Sequence, residues 1–212
     1  NGSGKTSLLE AIYLLSHGRS FRTHYQKPLL SEGMQEAAVY GETMSGQAIG
    51  VSRSITGPAQ VKINGSKPAH LAELARELPL QLINTDAFKI LEGSPKDRRG
   101  FLDWGVFHVK HQFLEAWRMG KRALSNRNAL LKQGAKDTEI DPWTHEFVRH
   151  AEEIHRYRQE YVGLLAQTLE TSMAGALLDE AIGRQVSLRY SCGWDEDRGL
   201  GQQLKNNIGM ER

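Results

Sequence analysis

The first seven residues, Asn1-Gly2-Ser3-Gly4-Lys5-Thr6-Ser7, have types and spacing suited to one chemistry, the holding of a nucleoside triphosphate. A phosphate-binding loop reads Gly, four residues of any type, then Gly-Lys-Ser/Thr, and Gly4, Lys5 and Thr6 fill its last three positions. Gly2 and Gly4 allow the backbone to curl so that successive N–H groups converge on an anion. The helix expected after Ser7 adds its free N-terminal donors and dipole. Lys5 has the reach to neutralise the β- and γ-phosphates, and the Thr6 hydroxyl is the group that ligates Mg²⁺. The alternative is an incidental glycine-rich helix cap. The first glycine of the pattern is expected before Asn1, so the chain is expected to begin inside the loop.

These residues need a strand-to-helix context, and the sequence supplies the helix. In 7–16, Leu8, Leu9, Ile12 and Leu15 recur at helical spacing and are expected on one face. After a loop over 17–34 come three strand-like runs, Ala37–Met44, Gln47–Ser54 and Gln60–Ile63, and the dipeptide Asn64-Gly65 is a strong hairpin signal. The spacing predicts a short helix over 69–78 and a buried strand over Leu80–Ile83. Ser94 is placed to cap a helix that Pro95 opens. Residues 112–133, with Phe113, Trp117, Gly120, Leu124 and Leu131 at 3/4 spacing, predict a long helix. Residues 134–142 hold Gly134 and Pro142 and predict a turn, and 143–181 predict a second long helix. Two long helices with a short connection make an αα-hairpin. A strand pattern returns at 185–191, and 193–212 show no clear core face.

Composition narrows the classes. The chain has 212 residues, 39% hydrophobic and 25% charged, with a formal net charge of +2. This is an ordinary globular balance, and any nucleic-acid surface must come from local clustering. The single cysteine, Cys192, excludes an internal disulfide and suits a reducing, cytoplasmic setting. No apolar run reaches the length of a membrane span. His145, His150 and His155 drift around a helix instead of aligning, and His108 and His111 lack nearby cysteines, so no zinc site is expected.

A second block, Gly93-Ser94-Pro95-Lys96-Asp97-Arg98-Arg99-Gly100-Phe101-Leu102-Asp103-Trp104, taken alone, is a capped helix with three cations on a solvated start. Together with Asn1–Ile12 and with His17-Gly18-Arg19-Ser20-Phe21-Arg22, it closely resembles the bacterial RecF family, in register from residue 1 to about residue 200. That resemblance implies an α/β fold of the ABC/SMC-type P-loop ATPase head, with an antiparallel β meander and a helical αα-hairpin subdomain, incomplete at both ends. The implied division is a head lobe over 1–92, the hairpin subdomain over 93–183, and a strand returning to the head over 184–212.

The resemblance further implies an ATP- and Mg²⁺-dependent DNA repair and replication factor. Such a protein associates with single-stranded, gapped or junction DNA, dimerises through its heads with ATP, acts with RecR- and RecO-type proteins and supports recombinational repair and SOS induction. Weak ATP turnover is expected of the full-length protein and none of these 212 residues alone, because the family's Ser-Gly-Gly-Gln-type loop and acidic Mg²⁺ strand are expected beyond Arg212. Gln81 lies near where such ATPases place a γ-phosphate-sensing glutamine; the alternative is an edge or surface residue. The family's Ser/Thr-Pro-Glu run stands here as Asn84-Thr85-Asp86, which keeps a carboxylate and loses the proline.

Over 93–133, nine cations stand against three acids. Lys96, Arg98, Arg99, Arg118, Lys121 and Arg122 are candidates to neutralise DNA phosphates, in backbone contacts without base readout. An ordinary solvated helix face accounts for them equally well. Three other readings remain: an SMC-like DNA-organising ATPase without a repair role, a transport ATPase subunit, and a protein-interaction module built on the hairpin. A steep loss of affinity with salt marks DNA binding.

Overall fold

The computed structural model describes residues 3–23, 25, 29–175 and 187–211. It divides into two compact units, Asn1–Thr85 and Asp86–Arg212.

In the first unit, helix α1 (Lys5–His17) lies against an antiparallel meander of β1 (Glu36–Glu42), β2 (Ala48–Ser54) and β3 (Gln60–Ile63), in the order β1-β2-β3. The register pairs Val39 with Val51 and Val51 with Val61, so a row of β-branched side chains crosses the sheet on its covered face. Leu15 of α1 and Leu74 of the short helix α2 (Ala72–Glu77) close over Ile49, Val51 and Val61. The Asn64-Gly65 turn forms as the dipeptide demands: Asn64 (φ 50°) and Gly65 (φ 79°) both take left-handed backbone, and Ile63 bridges Ser66. The Asn64 side chain also accepts a 2.9 Å hydrogen bond from the Ala48 N–H, tying the turn to the start of β2.

One expectation fails in this unit, and the cover of α1 is partial. Of the predicted face of α1, Leu15 is buried, but Leu8 and Leu9 are 64% and 60% exposed. The buried residues of α1 are Glu10, Leu14, Leu15 and Ser16. The sheet covers only the helix's C-terminal half, where the Ser16 hydroxyl donates to the Leu78 carbonyl at 2.7 Å. Leu80–Ile83 is no buried strand: it pairs with no described strand, and Ile83 is 84% exposed. A short apolar run fixes neither strand nor burial until a partner lies beside it.

The second unit opens with a 3₁₀ turn (Thr85–Phe88) and a single-turn helix α3 (Lys89–Glu92). Helix α4 (Pro95–Val109) follows, then the long pair α5 (Phe113–Lys132) and α6 (Asp137–Gly175). The pair is the predicted αα-hairpin. Phe113, Ala116, Gly120, Ala123, Arg127 and Leu131 form the seam of α5 at 3/4 spacing. Gly120 lets the helices approach closely, since a Cβ there would meet the His150 Cβ at 3.3 Å.

The turn predicted over 134–142 is shorter. Helix α6 starts at Asp137 and carries Pro142 inside it. Two features offset the proline. Glu139 reaches back to accept from the Lys136 N–H at 3.0 Å, and Ile140 is fully buried against the seam. The carbonyl that Pro142 cannot bond belongs to Thr138, an exposed residue. The predicted C-terminal end of this helix, 176–181, lies outside the described residues. Of the strand expected over 185–191, residues 185 and 186 lie outside the described residues and 187–191 pair with no described strand, while the tail thought to lack a core face forms helix α7 (Leu200–Glu211) with Leu200 buried. Alternation alone does not make a strand without a neighbour to hydrogen-bond.

Beyond the hairpin, α6 continues along α4. Gly105 of α4 sits against the Tyr161 ring, and Arg158 forms a two-pronged pair with Asp103 at 2.7 and 2.9 Å. Burial pushes the Asp103 carboxyl above its ordinary value, against the pull of the Arg158 guanidinium. Arg158→Leu is expected to cost about 2 kcal/mol at neutral pH, because a half-buried carboxylate loses its partner. It should also raise the Asp103 value further. A raised native carboxyl binds a proton more readily than the unfolded chain does. The deficit relative to the parent protein therefore shrinks as pH falls through that raised value. Urea unfolding of both proteins at pH 7 and pH 5 reads this, and an unchanged deficit would count against it.

Candidate nucleotide-binding site

The described part of the loop, Ser3–Ser7, is fully exposed. Gly4 takes left-handed backbone (φ 74°, ψ 2°) as the N-cap of α1, with nothing within 4 Å of where a Cβ would stand. The first hydrogen bond of the helix runs from the Leu8 N–H to the Gly4 carbonyl at 2.9 Å, so the amides of Lys5, Thr6 and Ser7 point outward from its first turn. No side chain caps this end and no acid stands in the first turn. The end therefore keeps its positive potential and its donors for an anion. Lys5 folds back and donates to the Ser3 hydroxyl at 2.7 Å, which holds its ammonium over the loop. Thr6 and Ser7 present exposed hydroxyls beside it. These residues fit a triphosphate with its Mg²⁺. Asn1 and Gly2 lie outside the described residues.

The loop after α1 is anchored by a residue that the sequence reading passed over. Glu10 is buried, accepts a short hydrogen bond from the Ser20 hydroxyl, and lies 3.5 Å from Arg22. Ser20 in turn accepts from the Arg22 N–H at 2.9 Å. Tyr13 stacks on His17 at 4.1 Å and meets Phe21 edge-on at 5.4 Å, while Gly18 ends the helix in left-handed backbone (φ 63°). The block His17–Arg22 thus has a structural task, to fasten the chain to the back of the phosphate-loop helix. The available signal was the carboxylate on an apolar helix face with Ser and Arg ten and twelve residues on.

Gln81 is exposed on an irregular segment. Asn84 is exposed as well, in a bend that leads into the 3₁₀ turn.

The Gly93–Trp104 block has a clear local mechanism. A Cβ at Gly93 would stand 2.3 Å from the Lys89 carbonyl oxygen, so only glycine fits between α3 and α4. The Arg98 guanidinium donates to the Gly93 carbonyl at 2.9 Å. Asp97 accepts from the Ser94 N–H at 2.8 Å and from its hydroxyl at 2.6 Å, which closes a capping box on Pro95. Those two bonds hold the Asp97 carboxyl below its ordinary value. A lowered carboxyl stabilises the helix start above the unfolded value, about 3.9, and that contribution disappears as pH falls through the lowered one. An NMR titration of the Asp97 carboxyl should show the low midpoint, and Ser94→Ala should move it back up. An unmoved midpoint would exclude the cap as the cause.

The cation stripe is partly dismantled. Arg127 is only 2% exposed and its Nε donates to the Thr144 hydroxyl at 3.1 Å, while Lys110 pairs with Glu160. Lys96, Arg98, Arg99, Arg118, Lys121 and Arg122 are all exposed. On the exposed side of α5, Arg118, Lys121, Arg122 and Lys132 face solvent with Glu115 as the sole acid of that helix. Among the described residues no helix is long and apolar enough to cross a membrane.

A phosphate-loop helix on an antiparallel meander, joined in one chain to a helical hairpin, defines a P-loop ATPase head of the ABC/SMC class. No protein-family model matches the chain. It is 43% identical over 217 aligned residues to the DNA replication and repair protein RecF of Stutzerimonas stutzeri, and 40% identical to that of Cellvibrio japonicus. Both alignments cover 100% of the chain and 58% of the relative. Two solved structures share the fold. RecF with ATPrS, described as a recombination mediator protein in the RecFOR pathway, matches at TM-score 0.75 with 22% identity, covering 100% of this chain and 60% of that one. RecF with ATP matches at TM-score 0.73 with 23% identity, covering 100% and 61%. The chain belongs to the RecF family and spans somewhat over half the length of the relatives it matches.

Proposed function

We propose that the chain is the nucleotide-binding part of an ATP-dependent DNA repair and replication factor of RecF type. One observation carries the reading: the uncapped, acid-free start of α1, with Gly4 in left-handed backbone and Lys5 held over the loop. Such a helix end is an anion site. On this reading the amides of the first turn and Lys5 bind the β- and γ-phosphates, and the Thr6 hydroxyl takes Mg²⁺. When bound, ATP and its metal supply the charge that brings two heads together. Gln81 senses the γ-phosphate. DNA is held in the closed dimer, and Lys96, Arg98, Arg99, Arg118, Lys121 and Arg122 contribute backbone contacts. The full-length protein acts with RecR- and RecO-type partners at single-stranded gaps or junctions and supports SOS induction.

The test is DNA retention by the full-length protein with and without ATP, across a salt series. Retention should need ATP and fall steeply with salt, about one log unit of affinity per log unit of salt for each phosphate neutralised. Arg118→Glu with Arg122→Glu should flatten that slope. Lys5→Arg should weaken retention, because the guanidinium misplaces the phosphate contact. Retention indifferent to ATP and to Lys5→Arg would remove the proposal.

A further inference from the structure

Beside the α5–α6 crossing lies a hollow of about 290 Å³ lined by no residue of the nucleotide loop. Gly120, which also belongs to the α5 seam, and Ala151 are its two smallest lining residues. Its walls are Trp117, Leu124, Phe147, Ile154 and Trp194. Trp194 is firmly placed: His155 packs against its ring at 5.3 Å and also stacks on Tyr190, and the Cys192 thiol donates to the Trp194 carbonyl at 3.0 Å. The opposite wall carries a cation, with Lys121 Nζ 4.9 Å from the Trp117 ring centre.

No carboxylate lines the hollow. Its two charged lining residues are Lys121 and Arg158, and Arg158 is already paired with Asp103. Arg118 and Arg122 are exposed on the same helix as Lys121. A rigid apolar hollow with aromatic walls and a basic edge has a definite complement. The volume suits one side-chain anchor, at the small end of ligand pockets. Aromatic anchors in such hollows dominate peptide affinity, and charge at the edge selects the sign of the partner.

We propose that this hollow is a docking pocket for an acidic segment of a protein partner, seating one aromatic or large aliphatic side chain between Trp117 and Trp194 while neighbouring carboxylates face Lys121. The inference stands apart from the nucleotide site and would survive its failure. A nucleobase is the less favoured occupant. Its polar edge would enter a space lined almost wholly by apolar side chains, and those donors and acceptors would lose their partners.

The experiment uses the full-length protein and a fluorescein-labelled peptide of alternating Asp and Gly with a single central Phe, read by anisotropy. Binding is expected. Replacing the Phe by Ala should weaken it about thirtyfold, the effect of removing a hot-spot anchor. Ala151→Leu fills the hollow without removing a wall and should weaken binding at least about tenfold, with the thermal melt unchanged. Lys121→Glu, at an exposed site that cannot unfold the hairpin, should weaken it about fivefold and reduce its salt dependence. Oligothymidylate should displace the peptide no better than an abasic oligomer of the same length, since either competes for Lys121 only through its phosphates. No binding by the parent protein overturns the proposal, as does binding that ignores both substitutions. Displacement by oligothymidylate but not by the abasic oligomer would overturn it and make the hollow a base site. Ala151→Leu abolishing self-association in sedimentation, without touching peptide binding, would assign it to a second copy.

Discussion

Lys5→Ala in the full-length protein is expected to weaken ATP binding about a hundredfold, the loss of one charge-assisted contact to phosphate. Lys5 is exposed and its Nζ is held by the Ser3 hydroxyl, so its removal leaves no cavity and the fold should melt unchanged. Gly4→Ala separates charge from backbone geometry. There is room for the methyl group, but the left-handed conformation disfavours it by roughly 1–2 kcal/mol. That variant should therefore bind ATP less tightly while keeping its charge. Titration calorimetry with ATP and Mg²⁺ reads both. Parent-like affinity in Lys5→Ala would show that the loop is a helix cap and nothing more.

The largest effect on stability is expected at Gly105. A Cβ there would lie 2.3 Å from both Cζ and the hydroxyl oxygen of Tyr161, on a buried stretch of α4. Alanine is otherwise the better helix residue by about 1 kcal/mol, so intrinsic propensity predicts a gain. The structure predicts a net loss of about 3 kcal/mol, because the tip of the Tyr161 ring must be driven from its place against α4. Tyr161→Ala should cost stability alone yet rescue Gly105→Ala, giving a coupling of about 2 kcal/mol in a double-mutant cycle. Denaturant unfolding of the four proteins measures it. Additive losses would mean that α4 and α6 do not meet as described.

The α1 helix, the meander, the Asn64-Gly65 turn, the Ser94-Pro95 helix start and the αα-hairpin were legible because each rests on local rules: glycine dihedrals, period-2 alternation, capping chemistry and 3/4 spacing. The same rules misjudged Leu80–Ile83 and left open what covers α1. There the question was which neighbour covers an apolar residue, and periodicity gives a face without saying what lies against it. Arg127 is the sharpest case. In the sequence it belongs to a row of cations, and in the fold its position in the α5 seam buries it against Thr144. Counting charge along a chain cannot separate it from Arg118 or Arg122, which lie elsewhere on the same helix.

By itself, the sequence determined the family and the approximate boundaries of most elements, since these depend on residue type and near neighbours. Tertiary structure alone decided which cations reach solvent, what ring lies against Gly105, and how Glu10 fastens Ser20 and Arg22 behind α1. It also created the hollow beside Gly120 and Ala151, whose walls come from two helices and the segment around Trp194. Each of these depends on distances between residues far apart in the chain, and such distances exist only after packing has fixed the helices and strands against one another.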